Sequence, residues 1–448
     1  MNKTTTRDMT TGNIAWLLIQ FSIPLIIGNL FQIMYNTVDL LVVGNFVGKE
    51  ALAAVGSTTM IVNIVVFFFN GVSTGATVVI SRFFGAGDRE GLHRAIETTM
   101  LVTLIIGALA TIGGVAMVRP MLAFQSTPAD VVPPAAVYLR IYFGGISGLL
   151  IYNMGSGILR AVGDTKRPLY FLAFTSVMNV LLDLLFTVVF KMGIAGVGYA
   201  TILAQFISAA MVLLLLTRTR DIYRLTWNDL RCDRAILGNI FRIGLPAGIQ
   251  SILTAFSNVF VQSYINSFGS ACMAGWSCYN KMDSLIFLPM NSMSQAATTF
   301  VGQNMGAGKE ERVNKGTFQS ILLILAFSLV ACTMLFVLAI PATGLFTKEP
   351  EVLEYGAMFI HLNVFFILFN CVNHTLAGGL RGRGDSTGPM VIMLLSFVAI
   401  RQLYLFVMTR YISNTPAMVG LSYPVGWTAC CIIEVAYFYL RWVKPAKR

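Results

Sequence analysis

The sequence predicts an all-α integral membrane protein of twelve transmembrane helices arranged as two parallel six-helix repeats. Three observations predict it. Charge is scarce, apolar runs of membrane-crossing length alternate with short polar connectors, and landmarks of the first half recur in the second at a nearly constant offset. Of 448 residues, 56% are hydrophobic and 11% charged, about half the charge of an average soluble protein. That composition argues against a soluble enzyme. One membrane helix needs roughly 20 mostly apolar residues, so the chain has room for about a dozen and little left for a water-soluble domain.

Runs bounded by Gly, Pro and charge clusters place the spans near 14–44, 51–81, 95–118, 132–157, 168–190, 195–217, 239–267, 272–303, 316–340, 351–379, 389–410 and 418–440. Several exceed the minimum length, and tilt or bending is expected of them. The polar stretch to Asn13 leads into the first run without a small-residue cleavage site, so that run is expected to be a retained helix.

The formal charge of +11 does not imply nucleic acid, because the basic residues sit in connectors and form no groove-lining cluster. With Arg242 at the start of the seventh span included, 23 of the 31 Lys and Arg lie at the two termini and in the even-numbered loops. The odd-numbered loops hold Lys49, Arg119, Lys191, Lys348 and Arg410, while Arg140, Lys281 and Arg401 fall within spans. This positive-inside bias puts both termini in the cytoplasm of a multi-pass plasma (inner) membrane protein. The connector at 218–238 becomes a cytoplasmic linker between an N-terminal bundle, 1–217, and a C-terminal bundle, 239–448.

The halves repeat. Gly85-Ala86-Gly87 recurs as Gly306-Ala307-Gly308, Leu159-Arg160 as Leu380-Arg381 and Gly163-Asp164 as Gly384-Asp385, each 221 residues on, and Pro24 recurs as Pro246 after 222. With six spans per repeat, an even number, both halves enter the membrane from the same side. Two such bundles around a shared cavity make a transporter.

Ionisable residues within spans are costly and are functional candidates. Asn29, Gln32, Asn36 and Asp39 follow one another at 3, 4 and 3 positions and so share one face of the first span. Ser176, Asn179, Asp183 and Thr187, spaced 3, 4 and 4, do the same in the fifth. Each stripe carries one carboxylate. Desolvation disfavours an ionised carboxylate, and a second carboxylate nearby disfavours it further. A proton and a metal cation would therefore compete for such a site, which is the simplest form of cation/proton antiport.

Other candidates are weaker. The seven cysteines show no CxxC spacing or disulfide framework and read as small buried hydrophobes. Lys281 and Asp283, two positions apart in the eighth span, do not face each other. Asp283 is a candidate for lining the substrate cavity. Arg401 is expected to make a structural ion pair or cap a carbonyl, and His361 and His374 to be packing histidines. Thirty-two Phe and 22 Met supply polarizable surfaces suited to lipophilic cations. Gly71 to Gly75 and Gly144 to Gly148 have the GxxxG spacing of close helix contacts. The DxxxD spacing of Asp229 and Asp233 lies in an Arg-rich connector and reads as solvated.

The six-helix repeat, the Gly85-Ala86-Gly87-Asp88 and Gly306-Ala307-Gly308-Lys309 loops, the Leu-Arg-x-x-Gly-Asp-Thr/Ser segments at 159–165 and 380–386, and the run from Phe300 to Lys309 resemble the MATE (multidrug and toxic compound extrusion) family over nearly the whole chain. The resemblance implies a V-shaped pair of bundles with alternating access. It also implies export of cationic or amphipathic organic compounds against a proton or sodium gradient, by a monomer needing no cofactor beyond H+ or Na+. The family's N-lobe cation site maps onto Asp39, Asn179, Asp183 and Thr201, with Tyr35, Asn36, Gln32 and Asn153 as a supporting polar network. The equivalent positions in the second half are Val261, Ile400, Tyr404 and Ser422. The NorM-like branch uses acidic residues in the seventh and tenth spans, but here the seventh has none and the tenth has Asn370. Coupling is therefore expected in the first half, by protons, with sodium at the same residues as the alternative. Asn370 and Asp283 remain candidates for the substrate cavity.

No GxxxxGK[ST] is present, so transport is expected to be secondary, and HExxH is absent, which disfavours a membrane-embedded enzyme. A lipid-linked glycan flippase of the same superfamily is the rival function.

Overall fold

The computed structural model describes residues 6–125, 127–227 and 230–444, with the side chain of Glu50 left aside. Asp229 of the DxxxD spacing and the outermost residues of both termini lie outside the described residues. The described chain is helical throughout, without strands.

Among the described residues twelve long helical elements follow one another: α1 Ile14–Val47, α2 Lys49–Ala86, α3 Arg89–Phe124, α4 as the pair Val132–Gly144 and Ile146–Ala161, α5 Lys166–Val189, α6 Ile194–Arg218, α7 Arg234–Asn266, α8 Ser270–Gly306, α9 Glu310–Val337, α10 Pro350–Gly382, α11 Thr387–Ile412 and α12 Pro416–Val443, with a short helix, Ala339–Gly344, between α9 and α10. Ten are long and apolar enough to cross a membrane, and the α4 pair, bent by 46°, makes an eleventh. The twelfth expected span, α8, is a 37-residue helix whose composition falls short of that test. Its Ser, Thr, Asn and Gln residues and the charges of Lys281 and Asp283 account for the shortfall. Those toward its C-terminal end are inside: Ser292, Ser294, Thr298, Thr299, Gln303 and Asn304 are all buried. The reverse holds on α3 and α9, where Leu109, Ile112, Val330 and Val337 are exposed. Unpartnered apolar faces of that length fit contact with lipid.

Two compact units emerge from the contacts. The first comprises the residues to Met9 with Ile23–Gly244, and the second comprises Thr10–Ser22 with Leu245–Arg448. The start of α1 thus belongs to the second unit and the start of α7 to the first, and each of these helices is divided within two residues of an internal proline, Pro24 or Pro246. In the first unit Val72, Ala76 and Ile80 of α2 and Leu92, Ile96 and Met100 of α3, each set at four-residue spacing, build one buried core with Ile158, Val212 and Ile240. Close approach is permitted where α2 crosses the start of α7. A Cβ on Gly75 would stand 2.2 Å from the Ile240 carbonyl oxygen and 2.8 Å from the Gly244 nitrogen, the small-residue contact that GxxxG spacing anticipates. In the second unit the interior is aromatic: Trp276 packs on Tyr279, Phe359 and Tyr423 at ring separations of 5.0, 4.8 and 5.4 Å.

The internal repeat extends to individual hydrogen bonds. Ser73 and Thr77 donate across to the carbonyls of Asn153 and Gly157 at 3.1 and 3.2 Å. Their counterparts 221 residues on, Ser294 and Thr298, donate to the carbonyls of His374 and Gly378 at 2.6 and 3.0 Å. Asp164 Oδ1 accepts from the Arg167 amide, as Asp385 Oδ1 does from that of Gly388. Gly87 and Gly308 end α2 and their loop in the left-handed region at φ 69° and 68°, where a Cβ would strain the turn. The break in α4 also has its echo. The tenth span changes to a tighter turn over Val364–Phe366, at the offset from Gly144 and Gly145.

Candidate functional site

The first unit brings together carboxylates that are 144 positions apart in sequence. Asp39 comes from α1 and Asp183 from α5, and their carboxyl groups interact directly. Asp183 is fully buried and Asn179, one turn before it on the same face, is 2% exposed. Thr187, one turn after it, and Ser176 are buried as well. The α5 stripe thus faces the protein interior along its length. Asp183 is followed at once by a wider π-helical turn, Leu185–Val189, of the kind that often accompanies functional positions.

No other donor among the described residues reaches Asp39 Oδ1 or either carboxyl oxygen of Asp183, and both side-chain polar atoms of Asn179 are equally without a partner. Buried polar groups are nearly always satisfied, so a cluster of unsatisfied oxygens on facing helices marks a place for something that satisfies them. Two carboxylates in contact cannot both stay ionised without a positive charge between them. A shared proton or a small hard cation meets that demand, and carboxylate, amide and hydroxyl oxygens are the donors that such cations take. Thr201, 8% exposed on α6, donates its hydroxyl hydrogen to the Val197 carbonyl at 2.9 Å, which leaves its oxygen free to accept.

The supporting residues divide. Tyr35 is half-buried beside Gln32 and within the electrostatic reach of Asp39. Gln32 and Asn36 are exposed along α1. Asn153 lines a small pocket with Ser73 and Thr103. Beside the pair stand residues that sequence reasoning missed. Tyr138 of α4 lies within electrostatic reach of both carboxyl groups and of Tyr35, and stacks at 6.2 Å on Tyr142, which in turn meets Gln205 of α6. Their signal was a four-residue spacing of tyrosines in a mostly apolar helix, a pattern shared with ordinary packing.

In the second unit Asp283 is half-buried on α8 among Tyr279, Tyr423, Cys332 and Cys371, and Asn370 is 8% exposed with its Oδ1 unpartnered. Among the described residues neither Asp283 nor Lys281 makes an ion pair. Lys281 is exposed and lines a pocket with Glu349. His361 bonds the Phe336 carbonyl at 3.0 Å and packs on that ring, and His374 packs edge-on against Phe287, as packing histidines do. The cysteines are free, five of them buried, with Cys431 half-buried and Cys232 exposed. No group of three or more His, Cys, Asp and Glu that could hold a metal ion occurs among the described residues.

Two further findings were not anticipated. Glu434 of α12 is fully buried, with Arg381 as its charged neighbour and Arg381 hydrogen-bonded to Gln250 at 3.2 Å. Arg401, expected to find a carboxylate or a backbone carbonyl, instead donates to Ser257 Oγ at 2.5 Å and Asn258 Oδ1 at 2.9 Å.

Comparison with known proteins agrees with this architecture. The MatE family model matches residues 24–185 and again 246–406, once per repeat. The probable multidrug resistance protein YpnP of Bacillus subtilis is 31% identical over 437 residues, covering 97% of both chains. A FAD transporter of Shewanella oneidensis is 24% identical over 79% of this chain and 78% of its own. A solved outward-facing multidrug resistance MATE family transporter of the MOP superfamily shares the fold with a TM-score of 0.93 at 22% identity, over the full length of both chains. With its family match recurring in each half and its helices apolar enough to span a bilayer, this multi-pass membrane protein belongs to the MATE family of transporters, and is not an enzyme.

Proposed function

We propose that the protein is a secondary multidrug exporter that moves cationic or amphipathic organic compounds out of the cell by alternating access, in exchange for protons taken up at Asp39 and Asp183. The reading rests on one observation: two carboxyl groups in direct contact inside the first unit, with buried oxygens that no other donor among the described residues reaches. Such a pair releases its positive charge only when something else supplies or removes one, and a proton gradient does that. Sodium, held by Asp39, Asn179, Asp183 and Thr201, is the alternative coupling ion, favoured by the unsatisfied amide oxygen of Asn179. The expected setting is the plasma membrane, both termini cytoplasmic, the units 1–217 and 239–448 joined by the 218–238 linker, in a monomer. Asp283 and Asn370 would face substrate, an acceptor pair suited to a cation.

The experiment is transport by the purified protein in liposomes. Efflux of a fluorescent lipophilic cation is followed under an imposed pH gradient, then an imposed sodium gradient, for the wild type and for Asp39→Asn and Asp183→Asn. The proposal expects a pH gradient to drive the wild type and neither variant. A relative known as a FAD transporter puts an anionic dinucleotide in the substrate panel as well. Movement of no substrate under either gradient, or normal exchange by both variants, refutes the antiport.

A further inference from the structure

The carboxylates of the first unit have no counterparts in the second. At the offsets of the repeat, Asp39 corresponds to Val261 and Asp183 to Tyr404, while Tyr35 and Asn36 correspond to Ser257 and Asn258. Arg401, next to the counterpart of Asn179, is 2% exposed on α11 and directly follows a π-helical stretch, Leu395–Ile400. Its guanidinium reaches the face of α7 that answers to the Tyr35–Asn36 face of α1, through Ser257 at 2.5 Å and Asn258 at 2.9 Å. Ser257 passes its own hydrogen to the Phe397 carbonyl at 2.6 Å, so its oxygen is fixed as an acceptor, and Gln402 bonds the same oxygen at 3.1 Å. On the remaining side the guanidinium lies 4.8 Å from the Tyr423 ring of α12. Tyr423 adjoins Ser422, the counterpart of Thr201.

A buried full charge is ordinarily neutralised by an opposite one. Arg401 has none: among the described residues no carboxylate lies within ion-pairing distance of it, Asp283 included, although both neighbour Tyr423. Its ligands are a hydroxyl, an amide oxygen and a ring face. This neutral, oxygen-rich and π-rich set is what coordinates a monovalent cation, and it binds three helices, α7, α11 and α12, around one positive centre.

We propose that Arg401 is a tethered cation: in the second unit its guanidinium does permanently what an exchangeable ion does at Asp39 and Asp183 in the first. Loss of both carboxylates and gain of one fixed positive charge are then a single substitution of function. The second unit is held in its cation-bound packing throughout the cycle, and only the first unit exchanges ions. This inference deepens the antiport reading and rests on it for the role of the first unit. The occupancy of the second unit by Arg401 stands apart from that reading.

The test uses the full-length protein in detergent and in liposomes. Arg401→Ala opens a guanidinium-shaped space. Millimolar guanidinium or methylguanidinium is expected to raise the melting temperature of this variant and to restore its transport. Tetramethylammonium and sodium are expected to do neither, and the wild type is expected not to respond. Arg401→Lys and Arg401→Met, alike in bulk but one charged and one neutral, cover the case in which the alanine variant fails to fold. Lys is expected to keep most of the transport, and Met to lose about tenfold or more, about 1.4 kcal/mol at the barrier. Transport by the Met variant equal to that of the Lys variant overturns the proposal, as does a folded Arg401→Ala protein whose melting ignores guanidinium. The melting readout needs no ion coupling, so it separates failure here from failure of antiport at Asp39 and Asp183.

Discussion

Replacing Asp183 by Asn should abolish exchange and at the same time stabilise the protein in alkaline solution, a combination that damage to the fold would not produce. The carboxyl groups of Asp39 and Asp183 are in direct contact and reached by no other donor. With one proton between them the pair carries a single negative charge, and the variant, with one carboxylate and one amide, carries the same. With that proton gone the wild type must hold two like charges. At about 4 Å and an effective dielectric constant near 20 their repulsion is about 4 kcal/mol, an upper bound because water and side chains relax. Removing one carboxylate removes that repulsion. Asn is nearly isosteric, so little packing is lost with it. The assay is the melting temperature of purified protein at about pH 6 and about pH 9, where carboxyl groups of a buried pair can differ in protonation, each with and without sodium. The variant should match the wild type at the lower pH and exceed it at the higher. Sodium should raise the wild type at high pH and leave the variant unchanged if sodium also occupies the site, and should leave both unchanged if only protons do. A variant less stable than the wild type at both values refutes the shared-charge account.

Three other outcomes test the packing. Gly75→Ala would drive a Cβ against the Ile240 and Gly244 backbone, which cannot rotate away. The cost is about 3 kcal/mol or more, read as a clear drop in melting temperature, whereas Gly113→Ala on α3, with open space around it, should be silent. Arg381→Met strands the buried Glu434 and should cost about 3 kcal/mol, while Glu434→Gln should cost less, and the double variant should lose less than the sum of the two in thermal melts. Thr77→Val and Thr298→Val remove the same interhelical hydrogen bond from the two repeats. Each is expected to cost about 0.6 kcal/mol, and markedly unequal melts would show that the repeats bear unequal load.

Much of the fold was legible because membrane insertion is a one-dimensional selection. A run of apolar residues declares its solvent regardless of what it packs against, and so the helices could be placed before any contact was known. The polar stripe of α5 was legible for a related reason: 3.6-residue periodicity puts Ser176, Asn179, Asp183 and Thr187 on one face, and all four are buried. The eighth span was the instructive exception. Its polar residues lower its hydropathy below that of a membrane helix, yet Ser292, Ser294, Thr298, Thr299, Gln303 and Asn304 are buried, so over that stretch the protein interior hides what lipid would reject. Glu434 shows the converse. A single carboxylate in the apolar run of α12 is easily passed over, and its fully buried position with Arg381 depends on how α10 and α12 are rotated.

By itself, then, the sequence determined the class of solvent, the number of candidate spans, the twofold repeat and the faces on which charge would lie. Each of these is a property of local composition or of periodicity along one helix. Only the tertiary structure decided that Asp39 and Asp183 meet and that Tyr138 attends them. It also decided that Arg401 is held by a serine and an asparagine and by no acid. Those outcomes depend on the rotation and close approach of helices far apart in the chain, where a shift of one residue along the helix turns a side chain by about 100° and changes its partner.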